Sequence, residues 1–292
     1  MMLFIAVLMT TGCVVTTKQL SVKDRPESFG PDTIISGKTG DPISFETLIA
    51  DLNRVRIVYV GEQHTHPEHH KIQLQVISAL FDNNPDLIVG MEMFDTTYQP
   101  VLDDWSAGKL DEATFLKRVH WYANWKFDAA LYRDILNFIK DHHIRMVGLN
   151  IPFHLPAKIA IGGADSLSED EKKYLPRQID TKNADHRAYV ERIFRMHHIR
   201  GRDDFETFYL AQCVWEETMA EAIADNDIGS KMVILAGNGH IYKKFGIPER
   251  AYNRTKAPFR TVYPAAVGTQ VTLTDADYFW TTVEPKKPKG HP

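Results

Sequence analysis

Two short stretches of this 292-residue chain repeat one arrangement, a glycine followed three residues later by histidine: Gly61-Glu62-Gln63-His64 and Gly237-Asn238-Gly239-His240. A third, Gly90-Met91-Glu92, ends on a carboxylate. Two imidazoles and a carboxylate can ligate a divalent metal and leave a position open for water. The same types also serve a metal-free site, in which His64, His240 or Glu92 is the general base and Glu62 a second acid or a cap for the helix that follows. The plainer alternative is that the histidines satisfy backbone groups at strand ends while Glu92 pairs with an arginine.

The elements that must position these groups read as strands. Val55-Arg-Ile-Val-Tyr-Val60 stops at Gly61, Asp86-Leu-Ile-Val-Gly-Met91 at Glu92, Ile144-Arg-Met-Val-Gly-Leu149 at Asn150, and Lys231-Met-Val-Ile-Leu-Ala236 at Gly237. Near-continuous Val/Ile/Leu runs suit strands buried on both faces of a parallel sheet. Between them, residues 68–81 and 131–139 carry apolar side chains at helical spacing. Residues 181–198 and 203–224 form two longer helical stretches, part of a helical excursion over about 152–225 between the third and fourth strands. Residues 259–263 and 270–274 read as edge strands. The expectation is one α/β body over 32–284, a mainly parallel sheet flanked by helices. Ligands of such sheets bind beyond the carboxyl ends of the strands, where Glu62, His64, Glu92, Asn150 and His240 are gathered.

Composition excludes other classes. Hydrophobic residues make up 43% and charged residues 25% of the chain, which rules out disorder and low-complexity arrays. Lys+Arg 34 against Asp+Glu 38 leaves a net charge of −4, with no field that favours nucleic acid. Two cysteines cannot make a disulfide framework, and Cys213, in an apolar helical stretch, reads as an inert core thiol. No P-loop, Gly-x-Ser-x-Gly or Gly-x-Gly-x-x-Gly marks a strand–helix turn.

At the N-terminus, the apolar residues 3–9 and Thr10-Thr11-Gly12-Cys13 read as a secretory signal over 1–12. Cys13 is then a lipidation site anchoring the protein in the cell envelope, residues 13–31 a tether, and Pro-rich 285–292 a tail. His66, His69 and His70 crowd a helix start at Pro67, where the dipole favours neutral imidazole, and at least one of them is expected at the solvated surface. His142 and His143 read as caps of another helix. His197 and His198, among Arg195, Arg200 and Arg202, form a basic cluster able to pair with carboxylates, including haem propionates. Tyr122, Tyr209 and Tyr242 are phenols able to ligate ferric iron, and Trp121-Tyr122-Ala-Asn-Trp125 could wall an apolar slot.

The motifs Gly61-Glu-Gln-His-Thr-His-Pro-Glu-His-His70, Gly90-Met-Glu-Met-Phe94, Gly148-Leu-Asn-Ile-Pro152, Phe208 through Ala220, Ala236-Gly-Asn-Gly-His240, Gly246-Ile-Pro-Glu-Arg250 and Ala276-Asp-Tyr-Phe-Trp280 together resemble the ChaN family of bacterial haem-binding lipoproteins. The wider group includes erythromycin esterases, Tiki-type proteases and TraB-like proteins. The resemblance implies an α/β fold, haem or iron binding at the outer membrane in the service of iron uptake, and a homodimer that sandwiches haem. It also implies iron held by a tyrosine and propionates by a histidine. In the hydrolytic relatives the positions of His64, Glu92 and His240, with Arg250, are the presumed active site.

Overall fold

A computed structural model describes residues 18–196 and 204–284. Eleven strands occur among them: β1 (Leu20–Val22), β2 (Ser28–Phe29), β3 (Ile34–Ser36), β4 (Pro42–Ile43), β5 (Ile57–Glu62), β6 (Ile88–Asp95), β7 (Arg145–Asn150), β8 (Met232–Gly237), β9 (Phe259–Ala266), β10 (Gln270–Val271) and β11 (Tyr278–Thr282). Eight form one sheet in the order β4-β3-β11-β9-β5-β8-β6-β7. From β11 to β7 every neighbouring pair is parallel, and β3 alone runs against its neighbours.

Twelve α-helices occur among the described residues: α1 (Phe45–Leu52), α2 (Pro67–Phe81), α3 (Gln99–Ser106), α4 (Glu112–Arg118), α5 (Trp121–Asn124), α6 (Arg133–Asp141), α7 (His154–Gly162), α8 (Glu169–Lys172), α9 (Ala184–Met196), α10 (Phe205–Asp225), α11 (Asn238–Ile241) and α12 (Ile247–Thr255). Alternation along the strands divides them between two cores. Val58, Val60, Val233 and Leu235 face one way, into a core shared with α1 through α6. Ile57, Tyr59, Met232, Ile234 and Ala236 face the other, against α10, α11 and α12. The sheet is therefore covered on both faces, which is why its strands read as unbroken apolar runs. The helical excursion is α7 through α10, between β7 and β8.

Two expectations are corrected. Residues 259–263 do not form an edge: β9 lies inside the sheet, parallel to both β5 and β11. Its polar positions are satisfied laterally, Arg260 Nε by Asp51 at 2.8 Å and Thr261 Oγ1 by Asp277 at 3.1 Å. The segment read as a tether is in part structured, because β1 pairs with both β2 and β10 and buries Leu20 and Val22. Residues 1–17, including Cys13, and 285–292 lie outside the described residues, so the signal, the lipidation site and the tail stay expectations. No helix among the described residues is long and apolar enough to cross a membrane.

Candidate functional site

Three adjacent strands, β5, β8 and β6, deliver the site. The register pairs Glu62 with Gly237 and Met91 with Leu235, so Glu62, Glu92 and the Gly237–His240 turn emerge side by side. Glu92 falls within a register shift between Met91 and Asp95 in the pairing with β7. Such irregularities re-aim side chains at the ends of sheets. Gly237 lets the two side chains come close: a Cβ there would stand 3.1 Å from His64 Cε1 and 3.5 Å from Glu92 Oε2. The two Gly-x-x-His motifs and Glu92 thus meet at one point, whereas Asn150 is spent locally, donating to the Glu92 carbonyl at 2.8 Å.

Glu62 is buried and held from four sides. Its Oε1 accepts from Tyr132 at 2.6 Å and meets His64 Nδ1 at 2.7 Å; its Oε2 accepts from Gln73 at 2.8 Å and lies 3.3 Å from His70 Nδ1. Burial would raise its pKa, but bonds to His64 and His70 outweigh that and hold the carboxyl below the usual range. For His64, burial acts downward and the Glu62 bond and the Glu92 charge act upward, with a net rise. The His64 ring packs edge-on against Trp125 at 4.7 Å and near Phe127 at 4.9 Å. Its side chain keeps 29% exposure, and its Nε2 has no hydrogen-bond partner among the described residues. This is a carboxylate–imidazole dyad with one nitrogen free, the arrangement of a general base.

His240 is placed differently. Its Nε2 lies 3.4 Å from Glu92 Oε1 and its Nδ1 3.2 Å from Glu216 Oε1. Only a ring protonated on both nitrogens can donate to both carboxylates. Burial disfavours that cation, but Glu92 and Glu216 outweigh it and push the pKa up to about 10. Glu92, whose Oε2 accepts the Gly237 N–H at 2.6 Å, is held ionised: burial acts upward, and His240, His64 and the Gly237 bond outweigh it.

Behind His240 lies a buried charge network. Glu216 Oε2 contacts His186 Nε2 at 3.0 Å and Arg250 Nε at 3.5 Å. Arg250 also pairs with Glu217, which Arg254 meets at 2.7 Å. Arg250 therefore supports the site from behind and is not presented to a ligand. The raised His240 pKa has a stability consequence. A group whose pKa rises on folding stabilises fully below its unfolded value, here 6.5, and that contribution is lost as pH rises through about 10. Thermal melts should show stability declining from pH 7 to pH 10, and His240→Gln should flatten that slope. A pH-independent melting temperature over this range would contradict the assignment.

The dyad and His240 line a cavity of about 320 Å3 whose wall is apolar: Tyr189, Val190 and Ile193 from α9, Phe208 and Trp215 from α10. A second cavity of about 260 Å3 shares Phe208, Gln212 and Trp215 and adds Phe153, Pro156, Ala157 and Ala160 from the α7 region. The two share an apolar wall, and the first has a carboxylate–imidazole floor of Glu62, His64 and His240. A larger groove, about 800 Å3, lies at α1, α2 and the β3–β4 edge. It has no histidine or glutamate in its lining, so size alone does not mark the site.

The remaining candidates separate. Tyr122 is 62% exposed, on α5. Tyr209 is buried with its hydroxyl turned inward, 3.3 Å from His186 Nδ1, so it is not offered to an external ligand. Tyr242 is half-buried and stacks on Tyr189 at 4.7 Å. His197 and His198 lie outside the described residues. His66, His69 and His70 are all buried, contrary to the expectation of a solvated one: the chain at the end of β11 covers the first two, His66 Nε2 bonding the Val283 carbonyl at 2.9 Å and His69 Nε2 meeting Thr282 Oγ1 at 3.2 Å, while His70 is turned toward Glu62 and packs on Tyr132. Burial, and then His66 and His70, bring the His69 pKa down to about 3, in keeping with the neutral form. His142 Nδ1 bonds the Phe138 carbonyl at 2.9 Å, a helix cap. Cys213 is a buried core thiol, pushed up to about 11 chiefly by burial.

The divalent metal at His64, Glu92 and His240 is not supported. Glu92 and His240 engage each other, the second His240 nitrogen is taken by Glu216, and no grouping of three or more His, Cys, Asp or Glu among the described residues is arranged to hold a metal ion. Sequence reasoning missed Tyr132, His186, Tyr189 and Glu216. For Glu216 and Glu217 a signal existed: two adjacent acids set among the apolar residues Cys213, Val214, Trp215, Met219 and Ala220 of α10 demand cationic partners.

Comparison with known proteins places the chain. Residues 48–251 match the model of the family described as haem-binding uptake, Tiki superfamily, ChaN. The chain belongs to this ChaN family of α/β proteins. Among solved structures, it is similar to one titled as cofacial heme binding to ChaN of Campylobacter jejuni. The TM-score is 0.69 at 21% identity, over 85% of this chain and 95% of that one. Erythromycin esterase EreC in its open conformation (TM-score 0.48, 15% identity, covering 80% and 77%) and the type III effector HopBA1 (0.47, 10%, 82% and 93%) are more distant. No curated protein sequence matches the chain.

Proposed function

We propose that this protein binds haem in the apolar cleft above β5, β6 and β8 and serves iron uptake from the cell envelope, anchored through a lipid on Cys13 and dimerising around its ligand. The family match over 48–251 carries this reading. The cleft suits it. A flat, apolar, dianionic ligand needs an apolar slot and cationic anchors away from carboxylates. Phe208, Trp215, Phe153 and Pro156 line the slot. Arg192, over the Tyr189 ring at 5.5 Å, and Lys243, over Tyr242 at 5.7 Å, are the nearby cations, whereas the floor carries Glu62, with Glu92 and Glu216 buried behind it. Haem supplies iron as cargo. The stacked phenols of Tyr189 and Tyr242 are the ligand candidates beside the cleft.

The test is spectral. Haemin bound by the full chain should lose its ligand-field signature in the double variant Tyr189→Phe/Tyr242→Phe and keep it in Tyr209→Phe. Unchanged absorption bands in the double variant would overturn the tyrosine assignment. A second reading rests on the Glu62–His64 dyad: with Glu62 holding Nδ1, His64 Nε2 is free to take a proton from water, as a hydrolase requires. Glu62→Gln and His64→Ala should each abolish such turnover.

A further inference from the structure

Glu62 is met by His64 on the cavity side and, from behind, by a histidine that the dyad does not itself use. His70 is buried in the first turn of α2, its ring against Tyr132 at 4.3 Å. Both of its ring nitrogens face oxygen acceptors. Nε2 lies 3.1 Å from the His64 carbonyl, and Nδ1 lies 3.2 Å from Gln73 Oε1 and 3.3 Å from Glu62 Oε2. The Gln73 amide cannot be turned to offer an N–H to His70, because its Nε2 donates to Glu62 Oε2 at 2.8 Å and to the Val60 carbonyl at 3.3 Å. A neutral imidazole has one donor and one acceptor nitrogen; only the cation donates from both. The helix start that predicts a neutral ring disfavours this cation, and the Glu62 carboxylate in contact with it outweighs that. The other ionisable groups around the ring are Tyr132, whose hydroxyl also donates to Glu62, the neutral His69 beside it, and Lys71 and Asp134, which line a hollow of about 210 Å3 with His70.

We infer that His70 is a buried imidazolium and the positioning residue of the Glu62–His64 dyad. It shares the Glu62 charge from behind and holds the His64 backbone, so that His64 is not locked into a permanent ion pair and can take up and release a proton at its free Nε2. This rests on the dyad of the second reading but concerns its charge, which is measured without turnover. A charge about 4–6 Å away moves a titration by about 1–3 pH units, and an effect passed on through Glu62 belongs at the low end.

Nitrogen-15 NMR of the full chain labelled at histidine reads each ring nitrogen directly. At pH 7 His70, assigned through the backbone, should carry hydrogen on both nitrogens; a bare nitrogen at either position would overturn the proposal. In His70→Gln, which keeps an amide donor and loses the charge, the His64 titration midpoint should rise by about one pH unit. An unchanged or lower midpoint would overturn the positioning role. The wild-type spectrum decides the charge even where the variant fails to fold. Both results as expected, with no hydrolysis of any ester or amide offered, would count against the hydrolase reading and leave the His70 assignment standing.

Discussion

Glu216→Ala should destabilise the protein by about 3–5 kcal/mol, the cost of removing one partner from a buried ionic network. Glu216 is fully buried, with Gln212 Nε2 at 2.8 Å, His186 Nε2 at 3.0 Å, His240 Nδ1 at 3.2 Å and Arg250 Nε at 3.5 Å. Its loss strands the His240 cation against Glu92 alone and leaves Arg250 with Glu217. Urea unfolding measures the change as a shift in midpoint at constant slope. Glu216→Gln, which keeps the shape and one acceptor oxygen, should cost less. A loss below 1 kcal/mol in Glu216→Ala would show that the network does not carry the charge balance described.

The second large effect concerns the cleft. Phe208 and Trp215 stand in the wall common to both cavities, and burying an aromatic side chain against a ligand contributes about 1.5–3 kcal/mol. Each 1.4 kcal/mol is tenfold in affinity. Phe208→Ala and Trp215→Ala should therefore each weaken haemin by at least tenfold, while Tyr122→Ala, which removes an exposed ring outside that wall, should not. Equal affinity across the three variants would place the ligand elsewhere. Circular dichroism separates lost affinity from lost structure, since both residues are only half-buried.

What the sequence made legible follows from which interactions are local. The β5, β6, β7 and β8 runs could be read because a sheet covered on both faces needs unbroken Val/Ile/Leu. His64, Glu92 and His240 could be placed together because strand ends in a parallel sheet share one edge. The β9 strand could not be read as interior: Arg260 and Thr261 interrupt its apolar pattern, and only the fold supplies Asp51 and Asp277 to satisfy them. The same holds for the support of the site. Tyr132 reaches Glu62 across 70 positions of sequence, and His186 approaches Glu216 from a different helix. No spacing rule connects such residues. The histidines at 66, 69 and 70 misled for a related reason: polarity at a helix start suggests solvent, and the strand end that covers His66 and His69 comes more than 200 positions later, while Tyr132 packs on His70 from another element.

The central claim is that the cleft above β5, β6 and β8 takes haem. Titration of haemin into the full chain, followed in the Soret region, tests it most directly. A saturable, shifted band with stoichiometric uptake, weakened in Phe208→Ala, is the expected result. A spectrum indistinguishable from free haemin at every protein concentration would contradict it and leave the Glu62–His64 dyad as the chemistry to pursue.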